Sequence, residues 1–209
     1  MTTVKEIPAF QLETIYRVML KRIAKGYNAE QLTFLMGAAP GYVRDVEALE
    51  KPFYSSDDLD SIARALEESN SQSFFPLKDD ESLLNISFHH NRHAGKDIYN
   101  YYRTDEQGED EEMYAVKEDV APDFDEIPGS EKSYELAKEA VHLLIRAGYF
   151  FEAKLPYEIF HALNRFLGYH LSPFVLHLAL IRFCENDEHN EGLRMVGSAD
   201  NQCRYEECQ

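Results

Sequence analysis

The chain lacks any run of apolar residues long enough to cross a bilayer, which argues against a membrane-spanning protein. Its opening stretch, MTTVKEIPAF, lacks a basic segment followed by an apolar one and a small-residue cleavage site, so no export signal is visible and a cytoplasmic home is expected. Cysteine is scarce. Cys184, Cys203 and Cys208 are an odd set that builds no paired framework and fits reduced thiols. Catalytic signatures are missing as well: there is no phosphate loop, nucleophile elbow, zinc-protease helix or glycine-rich dinucleotide turn, so a non-enzymatic protein without cofactors is expected. Basic residues are few, 21 against 38 acidic ones, for a net charge of -17. Non-specific DNA affinity comes from neutralising phosphates, so that balance disfavours an ordinary DNA binder and favours a basic protein partner.

What is present suits one large or two small domains: 209 residues, of which 44% are hydrophobic and 12% aromatic, enough to fill real cores. The acid is uneven. Residues 1–69 carry 8 basic and 11 acidic groups, residues 70–132 carry 6 and 16, and residues 133–209 carry 7 and 11. Residues 1–8 read as a loose lead-in. From Phe10 to Lys25, Leu12, Ile15, Tyr16, Met19, Leu20 and Ile23 recur at three and four, which predicts a first helix. Asn28 can cap a second, with Gln31 reaching back and Leu32, Leu35 and Met36 on one face, ended by Gly37. A turn from Ala38 to Pro40 leads to a short helix carrying Tyr42, Val43 and Val46, with Pro40 near its first turn. Ser55 with Asp58 three residues on caps a closing helix whose inward stripe is Leu59, Ile62, Ala63 and Leu66.

Gly26, Asn28, Glu30, Leu32, Gly37, Val43, Val46, Glu47, Pro52, Leu59, Ile62, Ala63 and Leu66 follow one another at the spacing of a known pattern, G-L-S-x-E-x-L-A-x-x-x-G-V-S-x-x-x-I-S-x-I-E, then proline, then L-x-x-I-A-x-A-L. This order resembles the helix-turn-helix of phage repressors and Cro-type (XRE-like) regulators, over residues 10–69. The resemblance implies a small helical bundle whose second motif helix reads DNA, generally as a dimer. Carried onto this chain, the candidate DNA contacts are Lys21, Arg22, Lys25, Gly41, Tyr42, Arg44 and Lys51. The chain departs from the pattern where DNA would lie. Ala29 replaces a polar residue that grips a phosphate, and Ala39, Gly41, Arg44 and Asp45 leave Arg44 as the one good reader of a base edge. The flanking cations fit solvated polar faces equally well.

Beyond a polar joint at NSQSFFP, with two exposed phenylalanines, the period changes. Leu84, Ile86 and Phe88 alternate with polar residues, Asp97 to Arg103 is tyrosine-rich, and Met113 to Lys117 follows the loop TDEQGEDEE, which together predict an antiparallel meander. Its first turn falls near Asn91 to Lys96. Residues 118–130 read as a linker. Helical spacing returns with Leu136, Ala140, Leu143, Leu144 and Ala147, then with Ile159, Phe160, Leu163, Phe166 and Leu167, then with Leu176, Ala179, Leu180 and Phe183 behind a Ser172–Pro173 cap. Two short strands around a turn at Ser198 to Asn201 close the chain. Three helices and a hairpin resemble a winged helix in order of elements alone. There the third helix would expose Phe174, His177 and Arg182 and run into the acidic ENDEHNE, which points to a protein-binding or dimerising module.

The expected architecture is mainly α with a small antiparallel β part: a helix-turn-helix domain over 1–69, an acidic β-meander and linker over 70–130, and a winged-helix-like domain over 131–209. Other clusters carry less. Neighbouring histidines on a strand point to opposite faces, so His89, His90 and His93 make a poor metal site, and Cys203, Cys208 and His189 are equally loose. Acidic pairs such as Asp79/Asp80 and Glu111/Glu112 lie in charge runs, while Tyr99, Tyr101 and Tyr102 suit base stacking or cross-strand packing. Two functions stay open. One is a DNA-binding transcriptional regulator, dimeric through its later regions. The other is an acidic interaction protein (antitoxin, immunity protein or assembly adaptor) that keeps the helix-turn-helix as scaffold and meets a basic partner through Glu109, Asp110, Glu111 and Glu112.

Overall fold

The computed structural model describes residues 4–77, 80–105, 107–127, 129–168, 170–185, 192–197 and 202–208. In chain order the elements are β1 (Val4–Pro8), α1 (Ala9–Ala24), α2 (Ala29–Met36), α3 (Tyr42–Glu47), α4 (Ser56–Ala65), β2 (Leu83–His93), β3 (Lys96–Thr104), β4 (Asp110–Asp119), α5 (Ser130–Arg146), α6 (Pro156–Leu167), α7 (Pro173–Cys184), β5 (Leu193–Gly197) and β6 (Cys203–Glu207). Helix dominates and the strands form two small antiparallel sheets, the mixed architecture expected from the spacing. No described helix is long and apolar enough to cross a membrane.

The chain divides into two compact units: Met1–Ala29 with Gly41–Ala121, and Glu30–Pro40 with Pro122–Gln209. These boundaries differ from the expected cuts at 69 and 130. In particular, α2 from Glu30 onward belongs to the second unit, while α1, α3 and α4 belong to the first.

In the first unit the sheet runs β1-β2-β3-β4. Residues 4–8 are therefore no loose lead-in: Val4 pairs with Ser87 and Pro8 with Leu83, an assignment that only the distant partner strand specifies. Pro8 then enters α1 with φ -61°, the angle its ring imposes. Ala94 and Gly95 join β2 to β3 with φ of 50° and 74°, the positive pair that a two-residue turn between twisted strands requires. Leu12, Ile15, Val18, Met19, Val43, Val46, Leu59, Ile62, Leu66, Ile86 and Tyr101 are buried, at roughly 1.5–3 kcal/mol each for the large aliphatic ones. Ser55 caps α4 as its sequence implies, its hydroxyl accepting from the Asp58 N–H at 3.2 Å while Asp58 accepts from the Ser55 N–H at 2.8 Å. Pro40 precedes the helix it was expected to start, and Gly41 caps α3 instead. Of the two phenylalanines in the joint, Phe75 is exposed but Phe74 is fully buried in a 3-10 turn, Ser71–Phe74.

In the second unit α5, α6 and α7 precede the two-stranded sheet β5-β6. Ser172 caps α7, accepting from the Phe174 N–H at 3.3 Å, ahead of Pro173 in the first turn. The inward face of α5 is Ala137, Ala140, Val141 and Ile145, so Leu136 and Leu143, expected inside, face out. On α6, Phe166 is likewise exposed. The Lys154 N–H donates to the Tyr205 carbonyl and the Tyr205 N–H to the Lys154 carbonyl, both at 2.8 Å, tying the start of α6 to β6. Gly37 ends α2 with φ 70°, and its carbonyl accepts from the Cys203 N–H at 2.6 Å. Phe34 of α2 stacks on His177 at 4.4 Å. The turn expected at Ser198 to Asn201 and the stretch 186–191 lie outside the described residues.

Candidate binding surfaces

Arg22 corrects the first expectation about DNA. It faces inward from α1 and is fully buried. Its Nε and Nη2 donate to the two oxygens of Glu47, each at 2.6 Å, and Nη1 donates to Glu118 and to the Tyr27 carbonyl at 3.0 Å. No phosphate can reach it. The planar guanidinium suits this place because its fork serves two carboxylates at once. Burial works to lower the Arg22 pKa, and the two carboxylates override it and hold the group charged. Burial also pushes the Glu47 carboxyl above its ordinary range, against the pull of Arg22. Tyr99 donates to Glu118 at 2.6 Å and Tyr101 to the Glu47 carbonyl at 2.7 Å, so α1, α3, β3 and β4 converge on one polar core.

The remaining candidates lie nearer the surface, and acids of the same unit hold them. Lys21 pairs with Glu68 at 2.8 Å and Lys25 with Glu67 at 3.2 Å. Asp45 takes both Arg44 and Lys51, each at 3.0 Å, and these contacts keep its carboxyl below the usual carboxylate range, Lys51 most of all. Tyr42 donates to Asp58 at 2.8 Å, and Gly41 sits under the folded-back Arg44 side chain with φ 78°. Each exposed pair contributes only about 0–1 kcal/mol. Its weight lies elsewhere: a phosphate meeting Arg44 or Lys51 would displace a carboxylate rather than release a counterion.

The acidic candidates are arranged differently from the expected loop. Glu109 lies in the turn, where its N–H donates to Asp105 at 2.8 Å, but Asp110, Glu111 and Glu112 already belong to β4, opposite Thr104, Arg103 and Tyr102. Strand alternation therefore sends Glu111 to one face and Asp110 and Glu112 to the other. All four are exposed, and among the described residues none is ion-paired; Asp110 accepts from the Thr104 hydroxyl at 2.6 Å.

Other clusters resolve as packing. His90 pairs with Asp97 at 2.9 Å and stacks on Tyr99, and His89 meets Tyr102 edge-on. Tyr101 is fully buried and packs against Phe88, with ring centres 5.2 Å apart. No group of three metal-ligating side chains occurs among the described residues. The cysteines are free thiols, and burial pushes Cys184 up to about 11, far from a reactive thiolate. His189 and Asp79 fall outside the described residues.

One surface escaped the spacing altogether: a groove lined by Phe124, Tyr134, Leu178, Ile181, Arg182 and Glu185. Phe124 and Tyr134 come from a stretch that reads as linker and helix start, and only folding brings them to α7. No protein-family model matches the chain, and no curated protein or solved structure is significantly similar to it.

Proposed function

We propose that this protein is an acidic interaction module that keeps its repressor-like helices as scaffold and binds a basic protein partner. The observation that carries the reading is an asymmetry of pairing. Lys21, Lys25, Arg44 and Lys51 are engaged by carboxylates and Arg22 is sealed inside, whereas Glu109, Asp110, Glu111 and Glu112 are exposed with no ion pair among the described residues. On a chain of net charge -17, exposed acid outside any ion pair is what a partner meets first. The alternative, a DNA-binding regulator, rests on the helix order and on the residues that resemble the repressor pattern.

The test is a pull-down with the purified protein from lysate of its own source, with and without nuclease, beside the variant Glu109→Gln/Asp110→Asn/Glu111→Gln/Glu112→Gln. A stoichiometric basic partner should survive nuclease, and its association with the variant should slow several-fold at low salt. Recovery of one enriched DNA fragment, bound less well by Arg44→Ala and weakening linearly as log salt rises, would overturn the proposal.

A further inference from the structure

The four-stranded sheet of the first unit ends in two unlike edges. β1 has 5 residues and runs into Pro8, whereas β4 has 10, and among the described residues no backbone or side-chain group bonds to its outer edge. The ladder decides what that edge offers. The Val120 N–H donates to the Gly95 carbonyl at 3.0 Å, and bonded positions alternate along an antiparallel pair. Glu118, Val116 and Tyr114 therefore turn their backbone groups to Asp97, Tyr99 and Tyr101 of β3, and Asp119, Lys117 and Ala115 turn theirs outward. Ala115 is exposed although its side chain is small, so the edge is open there. Tyr101 faces Tyr114 and Tyr102 faces Glu112, which makes Met113 the extra residue of a bulge. The regular edge is Tyr114–Asp119, and Asp110, Glu111 and Glu112 lie just beyond it.

A strand added here sets its side chains directly beside those of β4, so charge on either face of the edge bears on it. Around the acidic end, Asp105, Glu109, Asp110, Glu111 and Glu112 stand against Arg103 as the sole described cation of residues 103–112. Arg103 lies on β3, on the far side of Glu111 from the edge. At the other end Arg22 holds Glu118 and Lys96 holds Asp119. Lys117 there is exposed and in no ion pair among the described residues. We propose that β4 receives an extended basic segment of a partner protein as a fifth, antiparallel strand, its middle along Ala115 and Lys117 and its lysines or arginines against Asp110, Glu111 and Glu112. The inference rests on the acidic-module reading and gives that partner a conformation as well as a charge. Main-chain hydrogen bonds supply affinity, and the acids supply rate and choice of partner. The same charge turns away a second copy of the chain, which carries -17 of its own.

The test uses three labelled peptides on the full chain: alternating valine and threonine ended by lysines at the C-terminus, the same peptide N-methylated at alternate residues along its pairing edge, and the same with glutamates for lysines. Binding is read by fluorescence anisotropy and by hydrogen exchange at the Ala115 and Lys117 amides. The lysine peptide should raise the anisotropy and slow exchange at both amides, and the other two should leave exchange unchanged. Ala115→Pro removes one outward N–H and leaves the bonds to β3 in place, so it should weaken binding about tenfold. The N-methylated peptide makes the same cut from the partner's side, on a protein whose fold is untouched. Unchanged exchange, or equal protection by the glutamate peptide, would overturn the strand. So would protection of both amides in the free protein accompanied by self-association in sedimentation, since a second copy would then hold the edge. If the lysine and N-methylated peptides bind alike and both are lost when Glu109 to Glu112 are neutralised, the strand fails while the acidic-module reading stands. No binding of the lysine peptide would count against both.

Discussion

At Arg22 the cost of a buried charge determines what the residue can do. Glu47 and Glu118 enclose it, and removing the guanidinium would leave two carboxylates in a site that excludes water. Arg22→Met is therefore expected to destabilise the protein by about 3–5 kcal/mol, read from the chemical-denaturation midpoint. A loss below ~1 kcal/mol would mean that water reaches the site. His177 makes a second prediction at this scale. Burial against Phe34 holds its imidazole below the ordinary value of 6.5, so the folded state resists a proton that the unfolded chain accepts. The stability this contributes is complete above pH 6.5 and declines as pH falls below it. Denaturation midpoints at about pH 7.5 and about pH 5.5 should differ by less in His177→Leu than in the parent.

Elements whose signals are local could be read from the sequence, and those defined by distant partners could not. Ser55 with Asp58 and Ser172 with Pro173 start helices where their side chains alone require it, and Gly37, Gly148 and Gly168 end them. Gly37 does more than end α2. With φ 70° a side chain there is strained, and an added Cβ would lie 2.5 Å from the Cys203 carbonyl. Gly37→Ala should cost about 1–3 kcal/mol from the backbone alone, with more from the clash, whereas the same change at exposed Gly26 meets no neighbour and should cost only the backbone share. Thermal denaturation of the two variants side by side separates the terms. By contrast, β1 exists because β2 lies beside it, and Arg22 is buried because Glu118 arrives from 96 positions away. The face of α5 was misread for a related reason: leucines at 136 and 143 share the period of a buried stripe, but the small Ala137 and Ala140 allow the close packing. The candidate site was legible only as charge. The acidic run was visible, while the pairing of Lys21 with Glu68 and of Lys25 with Glu67, and the groove beside α7, depend on contacts between segments remote in sequence.

For the molecule as a whole, the division into units bears on what can be cut from it. A fragment of residues 1–69 holds every residue of the repressor-like pattern, yet it lacks Glu118 for Arg22, and Cys203 and His177 for α2. It is expected to give no dispersed amide spectrum and little cooperative melting. A fragment that melts as sharply as the full chain would show that the pattern is self-sufficient. The chain passes from one unit to the other three times, after Ala29, Pro40 and Ala121. Domains made of one continuous stretch fold in turn as they leave the ribosome. Here that order is unavailable to α2, because the Gly37 carbonyl at its end waits for the Cys203 amide, which is translated long after it. Nascent chains stalled before Cys203 should therefore expose this apolar helix to chaperones, because its packing partner is not yet made.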